Sequence, residues 1–185
     1  MRMVFQRSAR LFLPIFVIAA CGVLANDIRL FYTTGRTVVP WVGIILGYIN
    51  PPDDYFVPRG EITVIPEQSE YCVEYTNKYN GGYSVEFMFP GKMEITESVK
   101  TDLSFRCTFL SADGRTLRTT KIDNFIAYSD GRGSIGGTIA KYEVPKDLPI
   151  DGKLILRVEI DGSSRRKFFY DHPKATLAVV KSSDE

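Results

Sequence analysis

The sequence predicts an all-β protein: an antiparallel β-sandwich of about eight strands, immunoglobulin-like or jelly-roll, preceded by an N-terminal apolar signal or anchor helix. Three observations carry this. Several runs after residue 60 alternate apolar and polar residues with a period of two. Turn-forming pairs that tolerate positive φ separate them. The first 25 residues are basic and then uncharged, a different pattern altogether. No long window past residue 60 shows a 3.6-residue period, which leaves short strands and turns as the reading.

In the body, "GYSVEFMF" places Tyr83, Val85, Phe87 and Phe89 on one face, with Ser84 and Glu86 on the other. "DLSFRCTF" places Leu103, Phe105, Cys107 and Phe109 inward. "KLILRVEI" groups Leu154, Leu156, Val158 and Ile160, and "TIAKYEV" sets Ile139, Lys141 and Glu143 against Thr138, Ala140, Tyr142 and Val144. In "EYCVEY" the apolar side is Tyr71, Val73 and Tyr75. Asn80-Gly81-Gly82, Asp113-Gly114, Asp130-Gly131, Asp151-Gly152 and Asp161-Gly162 supply the turns. "FLSADGRTLRT" and "LRVEIDGSSRRKFFY" therefore read as β-hairpins. "KYEVPKDLPIDGKLILRVEI" reads as a Pro-bounded crossing between two strands. The expected divisions are a leader at 1–25, a lead-in at 26–60, the sandwich at 61–181 and a polar tail at 182–185.

The leader has Arg2, Arg7 and Arg10 before the uncharged run "LFLPIFVIAACGVLA". An apolar segment partitions into a bilayer while the arginines hold its N-terminus on the cytoplasmic side. The run is about 15 residues and holds Pro14, while a full span needs about 20. Ile18-Ala19-Ala20-Cys21 resembles the lipobox of bacterial lipoprotein precursors: an aliphatic residue, two small ones and the cysteine. The resemblance covers the leader alone. It implies a Cys21 thiol that is diacylated and a chain cut just before it. Val23-Leu24-Ala25 offers a competing cleavage before Asn26, and an uncleaved anchor is the third course.

A second apolar stretch, "VVPWVGIILGYI" at 38–49, is too short to span. It reads as a core strand with its flanks. Two alternatives are an interfacial segment with Trp41 and Tyr48 near the membrane and a membrane hairpin whose loop holds Arg29 and Arg36. The Pro- and Asp-rich "NPPDDYFVPRG" at 50–60 then leads into the sandwich.

Three cysteines permit a scheme in which Cys21 is lipidated while Cys72 and Cys107 are candidates for a disulfide in an oxidising compartment. Alternation opposes the bridge: Cys107 is on a core face, whereas Cys72 shares its side with Glu70 and Glu74.

Catalytic patterns are scarce. His172 is the single histidine, and its neighbour Asp171 is badly placed to orient it as a general base. One histidine excludes a His-rich metal site, so no metal and no cofactor are expected. "GRGSIGG" at 131–137 lacks the lysine and strand–loop–helix setting of a phosphate-binding loop. The acids Asp53, Asp54, Glu67, Glu70, Glu74 and Glu86 are candidates for a glycosidase pair, if two of them converge. Arg165, Arg166 and Lys167 beside Phe168, Phe169 and Tyr170 read as a solvated hairpin arm, with base or sugar stacking as the alternative.

Net charge is +1, and falls to −2 without the three leader arginines, so nucleic acid is not an expected partner. The expectation is a non-enzymatic, membrane-associated protein of the bacterial cell envelope. It is held by a lipid or its N-terminal helix and binds a protein, as a secretion or surface-assembly component or a toxin-neutralising immunity protein. A free periplasmic or secreted form is the alternative location. A carbohydrate-binding module or a carboxylate-dependent glycan hydrolase is the alternative function. Loops around Gly81-Gly82 and 129–137 are the expected contact points.

Overall fold

The computed structural model describes residues 19–32, 37–49, 51–91, 97–129, 133–150 and 152–182 of the 185-residue chain. The leader arginines, Pro14, Ile18 of the lipobox-like tetrad, Arg36, the Asp130-Gly131 turn, most of the "GRGSIGG" loop's start and most of the polar tail lie outside these residues. Two compact units are present, 1–52 and 53–185. Residues 53–60, expected in the lead-in, thus group with the sandwich.

In the first unit, helix α1 covers 19–32 and helix α2 covers Pro40–Ile49. This corrects the expected core strand at 38–49. Pro40 occupies the first helical position, where its missing N–H costs nothing. The turn before it is held by Asp27 of α1, whose carboxylate oxygens accept the backbone N–H groups of Val38 (2.9 Å) and Val39 (2.8 Å). Asp27, Phe31 and Val42 are the buried residues of this unit among those described. No helix among the described residues is long and apolar enough to cross a membrane.

The second unit is an all-β sandwich with ten strands among the described residues, two more than expected: β1 (Gly60–Thr63), β2 (Glu70–Tyr75), β3 (Gly81–Pro90), β4 (Ser98–Lys100), β5 (Ser104–Ser111), β6 (Thr116–Ile122), β7 (Ile126–Ser129), β8 (Ser134–Val144), β9 (Leu154–Asp161) and β10 (Thr176–Lys181). One sheet has the order β1-β10-β3-β8-β7-β4 and the other β2-β9-β5-β6. Every strand pairing is antiparallel.

The alternation read from the sequence defines the core. Tyr83, Val85, Phe87 and Phe89 of β3 are buried, as are Phe105, Cys107 and Phe109 of β5 and the four expected apolar residues of β9. β8 breaks the rule once. Its register against β3 shifts between Val85 and Glu86, and Ile139 is buried beside Ala140 instead of facing out with Lys141. A bulge of this kind inserts one residue and moves the alternation by one step.

The Pro-bounded crossing after β8 is as expected, the chain passing to β9 in the other sheet; its Val144–Pro145 bond is cis. Asn77 fastens this crossing from within. Its amide donates to Pro149 O (2.9 Å), and its side-chain oxygen accepts from the Tyr142 hydroxyl (3.0 Å). Gly81 and Gly82 open strand β3 and are not a loop.

The second expected hairpin is absent. After β9 the chain forms helix α3, Arg165–Asp171. A helical face explains this: Arg165, Phe168, Phe169 and His172 recur at i, i+3, i+4 and i+7. Phe169 is fully buried, while Arg166, Lys167, Tyr170 and Asp171 face solvent. Gly162 starts the turn at φ 144°, and a Cβ there would stand 2.8 Å from Asp102 O. Asp102 then gathers the turn, accepting from the Ser163 hydroxyl (2.5 Å), the Ser164 N–H (2.8 Å) and the Ser164 hydroxyl.

These bonds, the Ser163 and Ser164 hydroxyls first, draw the Asp102 carboxyl down from 3.8 to about 2. A depressed carboxyl stabilises the fold fully above 3.8 and ceases to do so as pH falls toward 2, because the unfolded chain takes up the proton first. Asp102→Asn should therefore flatten the acid limb of stability between those values, measured by urea midpoints across pH. Superimposable limbs for variant and parent would refute this role.

Candidate interaction surfaces

The cysteines fall into three environments. Cys21 is exposed on α1, Cys72 is exposed on β2 and Cys107 is buried on β5, and all three are free. The candidate Cys72–Cys107 bridge does not form. Cys72 pairs with Arg157 of β9, and Cys107 pairs with Val158 of β9 from the other side. The two thiols thus lie two strands apart, about 10 Å, on opposite faces of one sheet, beyond the reach of a disulfide. Burial pushes the Cys107 thiol up to about 12. Iodoacetamide on the native, nonreduced protein should accordingly alkylate Cys72 and spare Cys107 until denaturant is added. Mass spectrometry of the peptides reads this, and native labelling of Cys107 would contradict the assigned faces.

The candidate carboxylates do not converge. Glu70 and Glu74 lie on the outer face of the four-stranded sheet, paired with Arg157 (3.1 Å) and Lys153 (2.6 Å). Glu86 belongs to the other sheet and accepts from the Ser84 hydroxyl (3.1 Å). Glu67 accepts from the Tyr170 hydroxyl (2.9 Å) in the turn before β2. Arg106 and Glu159 add a further exposed pair to the four-stranded sheet (3.2 Å). Such pairs contribute little to stability; they make that face a charged ladder.

Asp54 is held by three neighbouring side chains. Its carboxylate accepts from Lys78 Nζ (2.8 Å), from an Arg59 guanidinium nitrogen (3.2 Å) and from the Tyr79 hydroxyl. Burial pushes this carboxyl up, but the hydrogen bonds of Lys78, Tyr79 and Arg59 and the Arg59 charge outweigh it and hold it well below the carboxylate range. Arg59 lies over the Tyr79 ring, and Lys181 lies over Tyr55 (5.1 Å) and Tyr83 (5.6 Å). Lys181 is 3% exposed because it takes the last core-facing position of β10, opposite Tyr83. Two ring faces make a cation tolerable there. The cluster closes the end of the sandwich where the chain joins it. Nothing in the lead-in sequence marks it beyond an aspartate and tyrosine side by side.

His172 caps α3, its ring 4.5 Å from Phe89 and 4.6 Å from Phe168. It packs as an aromatic, and no base–nucleophile geometry surrounds it among the described contacts. Arg165 is structural too: it donates to Pro66 O (3.2 Å) and Gln68 O (2.6 Å), clamping the turn before β2. Among the described residues no group of three or more His, Cys, Asp and Glu side chains is placed to hold a metal ion.

Among the described residues, exposed apolar side chains gather in two groups, apart from Phe56, Val57, Ile65 and Tyr170. At the edge of the six-stranded sheet, β4 is exposed throughout, and Val99, Ile126 and Tyr128 are open to solvent. Among described residues Tyr128 is the one exposed tyrosine or tryptophan borne on a strand, so no aromatic row lies on a sheet face. In the helical unit, Leu24, Ile28 and Tyr32 of α1 and Val38, Trp41, Ile45 and Ile49 of α2 and its preceding turn are exposed. Each set recurs at three- or four-residue spacing.

No protein-family model matches the chain, and no curated protein matches it. Among solved structures, the infectious bursal disease virus VP2 subviral particle aligns at 12% identity over 68% of this chain and 37% of that chain, with a TM-score of 0.17. A likeness this slight carries no argument.

Proposed function

We propose that the chain is an exported protein of the bacterial cell envelope whose β-sandwich, of jelly-roll strand order, is held at a membrane and binds a protein partner without catalysing a reaction. The carrying observation is the contrast between its two units. The helical unit exposes apolar side chains at helical spacing, whereas the four-stranded sheet of the sandwich presents paired charges. A lipid phase suits the first surface and water the second.

The jelly-roll assignment comes from strand order. β1-β10-β3-β8 faces β2-β9-β5-β6, so the first strand lies beside the last, and, β4 and β7 apart, each successive strand changes sheet except across the β5–β6 hairpin. β4 and β7 widen the first sheet at its β8 edge. That added edge is the proposed partner-binding surface, since an exposed short strand offers unpaired backbone groups to an incoming strand. Cys21, exposed on α1 with two alanines before it, is the proposed acylation site.

Fractionation of the full-length chain tests the location. It should sediment with envelope membranes and be digested by protease added outside the cytoplasm. Cytosolic recovery would overturn the reading. A photo-crosslinking residue at Val99 should capture a partner of defined mass, and one at Thr119 of β6 should not. Equal yields from both positions would remove the edge as the binding surface. Cys21→Ser should change the mass and processing of the chain if the thiol is acylated; unchanged processing would overturn that assignment.

A further inference from the structure

We infer that the turn 54–57 is a bilayer contact made by the sandwich itself, with Phe56 and Val57 seated in the headgroup region of a membrane. This rests on the membrane association proposed above and adds the sandwich to it. The occupant is a lipid surface.

The turn is fixed from below and apolar above. The Val57 N–H donates back to Asp54 O (3.3 Å), a reverse turn with an acid in its favoured first position. Arg59 donates to the same carbonyl oxygen (2.7 Å), and the Asp54 carboxylate is held by Arg59, Lys78 and Tyr79. Tyr55 is buried, its ring 4.8 Å from Tyr79 and under Lys181. Phe56 stands edge-on to the Tyr55 ring (5.0 Å). Even so, Phe56 is 51% exposed and Val57 50%, and Pro58 after them is exposed too. Residues 55–58 carry no charge. A single exposed apolar side chain is ordinary. Here two adjacent ones are displayed in water, where they are unfavourably placed, by a turn too well bonded to fold them inward.

Position in the chain supplies the occupant. Phe56 is four residues beyond Pro52, where the first unit ends. It therefore stays within about 14 Å of Pro52 whatever the arrangement of the two units. A membrane that seats the first unit is within reach of the turn, and a tethered second contact needs little affinity of its own. The other connections at this end of the sandwich are polar. β5 ends and β9 begins there, with Ser111 and Tyr75 both paired to Leu154. Asp113 and Arg115 between β5 and β6, and Lys146 and Lys153 between β8 and β9, are exposed. The displayed apolar pair thus belongs to the turn that follows the first unit. Charges beside it balance, Arg59 and Lys78 against Asp53 and Asp54. The attraction is accordingly apolar, zwitterionic lipid suffices and salt does not screen it.

The protein has one tryptophan, Trp41, so an indole can be moved to the turn. The full-length chain carrying Trp41→Phe and Phe56→Trp is reconstituted with phosphatidylcholine vesicles, and sedimentation and emission are read together. The expected result is co-sedimentation with blue-shifted emission, quenched more by lipids brominated near the headgroup than by lipids brominated at the chain end, and unchanged in high salt. Thr119→Trp in place of Phe56→Trp, on exposed β6, should sediment and emit as in water. Val57→Asp added to the Phe56→Trp chain should lose most of the quenching and keep the parental urea midpoint. A chain that sediments with an unquenched indole at position 56 overturns the turn contact and leaves membrane association intact. Water-like emission then shows a free turn, and blue-shifted emission a turn covered by protein. Quenching deepest at the bilayer centre overturns the headgroup placement, loss of the effect in high salt overturns its apolar origin, and equal quenching at positions 56 and 119 removes the turn as the contact. Full quenching in the Val57→Asp chain, or a lowered midpoint, overturns the part given to Val57. Failure to sediment overturns the membrane association as well.

Discussion

Phe87→Ala is expected to lower the stability of the sandwich by about 4 kcal/mol and its melting temperature by about 12 °C. Phe87 is fully buried at the centre of β3 and is ringed by five phenylalanines: Phe89, Phe105, Phe125, Phe168 and Phe169, with centroids 5.0 to 6.1 Å away. These come from both sheets, from the loop before β7 and from α3. Removing the ring takes away its own transfer free energy and leaves a cavity whose walls are the edges and faces of rigid rings. Such walls collapse poorly, so the upper part of the usual range applies. Native stabilities are about 5–15 kcal/mol, so this substitution removes a large share. Chemical denaturation of the purified variant measures it. A loss under about 1 kcal/mol would show that the rings are not packed as described. Phe87→Leu, which retains much of the volume, should recover about half of the loss.

Gly136→Ala should be nearly as damaging, by about 3 kcal/mol, through the opposite cause. A Cβ at Gly136 would stand 2.2 Å from Phe87 O, 2.4 Å from Met88 Sδ and 2.8 Å from Met88 Cα. The methionine sulfur can swing away, but the backbone of β3 cannot, so β8 must retreat from β3. Gly136 is also where β8 meets β7 at Tyr128. The displacement should therefore loosen β7 and β4 before the rest. Hydrogen exchange is expected to accelerate at Val99, Ala127 and Tyr128 in this variant while β2 and β9 keep the parental rates after correction for global stability. Uniform acceleration, or a cost below about 1 kcal/mol, would contradict the close approach.

Most of the strand content was legible because a half-buried strand writes its burial into every second residue. Tyr71, Val73 and Tyr75 against Glu70, Cys72 and Glu74 is such a record, and Cys72 and Cys107 stand on the faces that alternation assigns them. The two missed helices share a cause. At Pro40–Ile49 and Arg165–Asp171 the apolar residues are dense, and ten or fewer residues hold fewer than three turns of periodicity. Proline at the first helical position was the available signal for α2, and the spacing of Arg165, Phe168, Phe169 and His172 was the signal for α3. The bulge at Ile139 left no such trace, since an inserted residue shifts the phase without changing composition. For the surfaces, the sequence supplied Cys21 and Trp41 as residues of interest but passed over Asp27, an acid beside an apolar run whose partners lie 11 and 12 positions away.

Composition and periodicity by themselves determined that the body is all-β, that its core is aromatic and aliphatic, and that its basic and apolar beginning differs in kind from the rest. These are local properties, set by what each short segment must bury. Tertiary structure alone decided the strand order of the two sheets, the separation of the two cysteines by a full strand, the dispersal of the carboxylates and the bond from Asp27 to the start of α2. Each of these depends on which distant segments meet, and pairing between segments is selected by the packing of the whole core rather than by any window of the chain.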